Sequence, residues 1–218
     1  MCADKTKDKK VKSLRVCVFV DFWNFTLSLR DKEKFEPNWR LIGRLFTEEA
    51  GKMVDANLPA SYEAMYVYGS HDPDMKKSDK FLKWFSKILN RMPGVCAISK
   101  KRQKIKSPPK CPNPECRKEI PYCPSCNHDM CGTEEKGIDT LIVTDMIRLA
   151  WADAYDVAVL VSSDGDFIPV AKFLQSRGIK VIHASFPPLG HELSQECWSS
   201  FEIPKLMPEF RRIKSVMR

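Results

Sequence analysis

Apolar and polar positions follow two rhythms along this chain. Short, continuous apolar runs lie at Val16 to Val20, Ala64 to Tyr68, Val95 to Ile98, Val157 to Val161 and Lys180 to His183. Their β-branched content and lack of alternation predict strands buried on both faces, as in a parallel sheet. Between these runs, apolar residues recur at helical spacing. Trp39, Ile42, Leu45 and Phe46 share one helix face; Phe81, Leu82, Phe85, Ile88 and Leu89 share a second; Ile138, Leu141, Ile142, Met146 and Leu149 form a third. A fourth helix is expected over Phe167 to Ser176, stopped by Arg177-Gly178. Strand and helix alternate, which predicts an α/β fold: a three-layer α/β/α sandwich around a mostly parallel sheet of about five strands, with right-handed crossovers. No internal repeat of useful length is evident.

One segment breaks this alternation. From about Ser107 to Glu135 there is no hydrophobic period, prolines cluster between Pro108 and Pro114, and cysteines crowd together. The expected organisation is a disordered basic tail over 1–13, one domain built from 14–106 and 134–204, a small insertion over 107–133, and a C-terminal basic segment over 205–218.

Composition narrows the class. With 218 residues, 43% of them hydrophobic, the chain can bury one sizeable core with a small appendage. No apolar run approaches the roughly 20 residues that span a bilayer. The opening MCADKTKDKKVKS is polar and lysine-rich, without the apolar stretch of a secretory signal. A reducing, cytoplasmic location is therefore expected, and the nine cysteines read as thiols or metal ligands rather than as a disulfide framework. The formal charge of +8 is concentrated in the tail and in Lys100-Lys101-Arg102-Gln103-Lys104-Ile105-Lys106. Such a run is as readily a solvated linker as a phosphate-binding surface.

Open parallel sheets bind ligands at the carboxyl ends of their strands, and acidic residues stand there. The first strand ends in Asp21-Phe22-Trp23-Asn24, the fourth in Ser162-Ser163-Asp164-Gly165-Asp166, and the third helix opens with Lys136-Gly137-Ile138-Asp139. Three separate segments thus deliver carboxylates towards one edge. Hard ions such as Mg²⁺ and Mn²⁺ take carboxylate oxygens, waters and phosphates, and relieve the repulsion among close acids. A cation so held activates water against a phosphodiester. Asn24 is placed to orient a carboxylate or a water. Asp145 falls in the apolar stripe of the third helix, where a carboxylate needs a partner or a metal. Taken singly, Asp139, Asp164 and Asp166 also suit helix caps, and Asp21 a strand end.

VFVDFWNF, KGIDTLIVTDMIRLA and VLVSSDGDFIPVAKFLQSRGIKVI resemble the three signature segments of the NYN family of PIN-like nuclease domains, most closely its LabA-like branch. The resemblance runs from about Arg15 to Phe201. It implies a PIN-like fold and a metal-dependent endoribonuclease acting on single-stranded RNA. Asp21, Asn24, Asp139, Asp145, Asp164 and Asp166 are then the catalytic set, with Asp21, Asp139, Asp164 and Asp166 holding Mg²⁺ or Mn²⁺. RNA is the expected partner, with contacts from Lys101, Arg102, Lys104, Lys106 and Lys136; no membrane is expected, and a homodimer stays open. The competing readings are a non-cutting RNA-binding module and a nuclease acting on DNA.

Cys111, Cys116, Cys123 and Cys126 form C-x4-C-x6-C-x2-C, the spacing of two knuckles around a structural Zn²⁺, with Cys131 or His128 as alternative ligands. Four thiolates would leave no open position for catalysis. Two weaker features lie beside the acids. Trp23 and Phe22 offer rings for base stacking or, more simply, for the core. His71 and Asp72 suit an ordinary turn.

Overall fold

A computed structural model describes residues 13–30, 35–73 and 76–212. The expected tail over 1–13 falls almost wholly outside them, as do the last residues of the C-terminal segment. The five predicted strands are all present, as β1 (Leu14–Asp21), β2 (Ala60–His71), β3 (Val95–Lys101), β6 (Val157–Val161) and β7 (Lys180–Ser185). A sixth, β8 (Ser199–Glu202), extends the sheet; its four residues bury only Phe201, too little to stand out as an apolar run. The order is β3-β2-β1-β6-β7-β8, and every pairing is parallel.

The chain starts at β1 in the middle, steps outward to β2 and β3, and returns to the other side of β1 as β6. The direction of winding therefore reverses between β1 and β6. At such a switch point the connections leave in opposite directions and open a crevice at the carboxyl ends.

Alternate side chains of the sheet feed two cores. Val16, Val18 and Val20 face one layer, made by α1 (Phe22–Arg30), α2 (Trp39–Val54), α3 (Lys76–Lys87) and α7 (Ile203–Phe210). Cys17 and Phe19 face the other, made by α4 (Ile138–Trp151), α5 (Ile168–Ser176) and the short α6 (His191–Glu196). Packing against α2 is close: a Cβ on Gly51 would stand 2.5 Å from the Cβ of Ala60 on β2, so only glycine fits. The first layer is largely aromatic, with Phe46 set edge-on to Phe25, Phe201 and Phe210. Each fully buried side chain of this size stabilises the fold by roughly 1.5–3 kcal/mol.

The helices match the predicted faces with a few differences. Ile88 points to solvent, because α3 ends at Lys87 and a 3-10 turn over Leu89–Arg91 buries Leu89 instead. The helix α1, to which the sequence pattern assigns no element, begins at the residue after β1, leaving no connecting segment to signal it. The helix α7 buries Ile203, Met207 and Phe210, so the packed body extends into the stretch expected as a separate C-terminal segment. Among the described residues no helix is long and apolar enough to cross a membrane.

The insertion leaves the body through a narrow neck. Here β4 (Gln103–Lys104) pairs antiparallel with β5 (Thr133–Glu134), closed by a bond from Ile105 N to Gly132 O.

Candidate active site at the carboxyl edge of the sheet

Residue 21 ends β1 at the switch point, on the α4 side of the sheet. The Asp21 carboxyl is only 7% exposed, and its Oδ1 accepts a hydrogen bond from Asn24 N at 3.1 Å. That bond caps the first turn of α1, so the strand-end reading and the site reading describe the same side chain. Asn24 in turn reaches across the switch point: its Oδ1 accepts from Ser163 N at 2.9 Å. The amide thereby ties the end of β1 to the end of β6.

After β6 the chain turns sharply. Asp164 N donates to Ser162 Oγ, and Asp164 Oδ1 accepts from Asp166 N at 2.9 Å, capping a 3-10 turn over Gly165–Phe167. This leaves Asp164 half-buried and Asp166 exposed. His183 on β7 fixes the turn from beneath, with Nε2 2.7 Å from Ser162 O and Nδ1 2.7 Å from Ser194 Oγ. Burial holds its imidazole below the ordinary histidine range. A neutral ring that donates to the carbonyl and accepts from the hydroxyl satisfies both contacts.

Asp139 lies in the first turn of α4, two residues after Gly137, which is the actual cap. The cap reading for Asp139 therefore fails, and the side chain is free to join the acids. Gly137 has φ +74°, and a Cβ there would stand 2.6 Å from Lys100 Nζ. A side chain at 137 would thus be strained and would displace the lysine. Lys100 sits on the same face of β3 as Ile98 and brings one ammonium to the edge.

The carboxylates respond to one another. Burial, first of all, pushes the Asp21 carboxyl up to about 6, with Glu135 and Asp139 adding to it and the N–H groups of Asn24 and Trp23 opposing it. Asp139 is also raised, by burial and then by Asp164, Glu135 and Asp166. Five acids from three segments therefore share one field. Glu135 is the member that sequence reasoning missed. It follows β5 at the end of a segment without periodicity, and accepts a hydrogen bond from the buried hydroxyl of Ser70 on β2. Its place directly before Lys136-Gly137-Ile138-Asp139 was the available signal.

Asp145 is not brought into this group. Six residues beyond Asp139, it lies about 9 Å farther along the helix axis. It accepts from Tyr68 Oη at 3.0 Å and pairs with Arg148 at 2.9 Å. These partners account for a carboxylate in the apolar stripe without a metal. Trp23 likewise belongs to the core: its Nε1 donates to Ser70 O at 2.8 Å and its ring stacks on Phe81. His71 meets Ser99 on the neighbouring strand β3, and Asp72 accepts from Thr133 at 2.8 Å and so holds the neck of the insertion.

Of the basic candidates, Lys101 and Lys106 are exposed, and Lys104 lies in β4. Lys136 is paired with Glu134 at 2.6 Å. Arg102 is half-buried beside the neck, its N donating to His71 O, and its Nε is buried without a hydrogen-bond partner. It is therefore the least available of them to a polymer.

The donors at the edge are carboxylate and amide oxygens, the set a hard divalent cation takes, and their mutual repulsion is what such a cation relieves. In composition they fit Mg²⁺ or Mn²⁺. Among the described residues, no three His, Cys, Asp or Glu side chains converge on a single ligand position. The acids ring the crevice rather than closing on one point. A surface pocket at the amino ends of β2 and β3, between Trp39, Tyr62, Met92 and Gly94, contains none of these groups.

Comparison with known proteins agrees with this fold. The solved structure of a protein of unknown function from Vibrio parahaemolyticus superposes with a TM-score of 0.54, covering 88% of this chain and 93% of that one at 18% identity, a likeness of fold. An uncharacterized protein, y4oD, of Sinorhizobium fredii is 36% identical over 88 residues, which span 38% of this chain and 41% of that relative. The family model of the NYN domain matches residues 15–203, a range that includes all of the sheet but its first residue and every acid at the edge. The chain belongs to the NYN domain family, whose fold is that of the PIN-like nucleases.

Proposed function

We propose that the protein is a metal-dependent endoribonuclease that hydrolyses phosphodiester bonds of single-stranded RNA at the crevice between β1 and β6. The observation that carries this reading is the gathering of Asp21, Glu135, Asp139, Asp164 and Asp166 at one edge, where burial first and the neighbouring acids second raise two of the carboxyls. A pure binding surface for a polyanion gains nothing from clustered negative charge facing its phosphates. A site that recruits a cation does.

Asp21, Asp139 and Asp164 would hold the Mg²⁺ or Mn²⁺, with Asp166 acting through water and Glu135 at the rim. When bound, the cation supplies Lewis acidity to the phosphate and to the attacking water. The remaining work falls to this chain's own groups. Asn24 and His183 hold the two loops at a fixed separation, so that the acids keep their geometry as charge moves. Ser70 keeps the Glu135 carboxylate turned into the crevice. Lys100, beside Gly137, is placed to meet a phosphate oxygen of the bound strand, and Lys101, Lys106 and Lys136 extend positive charge along its path.

The test uses labelled single-stranded RNA and single-stranded DNA of one sequence, each incubated with the full chain and Mn²⁺. Internal cuts in the RNA, absent with a chelator and much slower in the DNA, are expected. Preferential cleavage of DNA would shift the substrate to the other polymer. Tight RNA binding with no cut under any divalent ion would replace the enzyme with a binding module.

A further inference from the structure

Residues 107–132 contain no buried side chain: Pro108, Cys111 and Cys123 are half-buried and all the others exposed. Its larger apolar groups, Ile120, Tyr122 and Met130, are each at least 36% exposed. A segment of this kind cannot offset the entropy of ordering by burial, and short protein lobes without a core are held by disulfides or metals. Among the described residues every cysteine is a free thiol.

What the segment has instead is a repeated hairpin that was not evident in the sequence. In the first copy, Lys110 bridges Glu119, Ile120 N donates to Pro109 O at 2.8 Å, and Cys111 N donates to Lys118 O at 2.9 Å. In the second, Tyr122 bridges Asp129, Met130 N donates to Pro121 O at 2.8 Å, and Cys123 N donates to His128 O at 2.8 Å. Each copy places one cysteine as the strand enters the turn and another as it leaves. The residue after the second cysteine takes positive φ in both, Arg117 at 48° and Asn127 at 54°. In the second copy the N–H groups of Ser125 and Cys126 also point at the Cys123 sulfur. A pair of cysteines carried on one tight turn is the half-site of a tetrahedral zinc centre.

We propose that the two hairpins close on one Zn²⁺ through Cys111, Cys116, Cys123 and Cys126, and that neither Cys131 nor His128 is a ligand. The repeat decides between these candidates. His128 occupies the position held by Lys118 in the first hairpin, and its carbonyl is already the acceptor for Cys123 N. Cys131 lies beyond the second hairpin, with its N–H and its thiol both bonded to Asp129. Each pair stands on its own hairpin, and no three of these thiols share a ligand position; binding therefore draws the hairpins together. A closed tetrathiolate leaves no position for water, so the role is structural.

The proposal does not depend on the nuclease reading. Zinc content is measured by elemental analysis of the full chain purified under reducing, metal-free conditions, in wild type and in Cys116→Ser, Cys126→Ser, Cys131→Ser, His128→Ala and Asp164→Asn. One zinc per chain is expected in the wild type, Cys131→Ser, His128→Ala and Asp164→Asn, with loss in Cys116→Ser and Cys126→Ser. Far-ultraviolet circular dichroism on the same samples is expected to keep the body's helix signal in every variant, since the insertion lies outside both cores. A wild type without zinc, a variant at Cys131 or His128 that loses it, or disulfides within the two pairs would each overturn the assignment.

Discussion

The α/β body and the insertion are two solutions to the same problem within one chain. In the body, Val16, Val18, Phe19 and Val20 of β1 are wholly buried between two helical layers, and order follows from the area removed from water. In the insertion no side chain is buried, and order must come from hydrogen-bonded turns and, on the proposal above, from Zn²⁺. The body therefore tolerates costly groups: it carries five acids at its edge, and burial with mutual repulsion raises the carboxyls of Asp21 and Asp139. The insertion has no such reserve. The two regions meet at the β4–β5 neck, where Asp72 and Ser70 of the body hold Thr133 and Glu135.

The largest contrast should come from removing thiol-bound metal. Limited proteolysis with a strong chelator is expected to open the segment between Lys106 and Thr133 to rapid cutting, while the body's melting temperature stays where it was. Loss of both together would mean that the regions are one cooperative unit. The converse change is Phe46→Ala, which removes a ring touching three other phenylalanines. It should destabilise the body by about 3–5 kcal/mol, read from denaturant unfolding, without altering zinc content.

A smaller effect concerns the acids. The fold raises the Asp21 carboxyl from about 4, its ordinary value, to about 6. The protonated form is thus favoured by folding; that contribution is full below about pH 4 and is lost as pH rises through about 6. Asp21→Asn keeps a capping oxygen and carries no charge. At neutral pH it should be more stable than wild type by on the order of 2–3 kcal/mol, yet inactive. Equal stability across this pH range would show that Asp21 is not held against its charge. The smallest effect is expected from Tyr68→Phe, which removes one hydrogen bond to Asp145 and costs about 1–2 kcal/mol of stability. Cleavage should be nearly unchanged, because Asp145 stands apart from the crevice; a large loss of activity would return it to the catalytic set.

How much of this was legible in the sequence depended on whether each signal was local. Asp21, Asp139, Asp164 and Asp166 stand at the ends of elements whose hydrophobic rhythm is strong, and the sheet's parallel winding brings such ends together. Glu135 was hidden because its approach to Asp21 is set by an antiparallel neck of two residues per strand, with no rhythm to reveal it. Asp145 looked like a member of the catalytic set because one of its partners, Tyr68, lies on a strand 77 residues earlier. The helix α1 was missed because it starts directly after Asp21, with Phe22, Trp23 and Phe25 keeping the apolar character of β1 and no turn residues between the two elements. The paired hairpins were missed because their likeness lies in backbone bonds and in the left-handed residues Arg117 and Asn127, while the loops between the cysteines differ in length.

The central claim is that the acids at the β1–β6 crevice cut RNA. It is tested most directly by Mn²⁺-dependent cleavage of single-stranded RNA by wild type and Asp164→Asn, with the melting temperature of each sample measured alongside. Asp164→Asn keeps the oxygen that accepts from Asp166 N, so the turn should persist and the melting temperature should change little. The account predicts a loss of at least about a hundredfold in rate, the scale seen when one preorganised electrostatic group is removed from a reacting site. Cleavage by Asp164→Asn at the wild-type rate, with the fold intact, would contradict it.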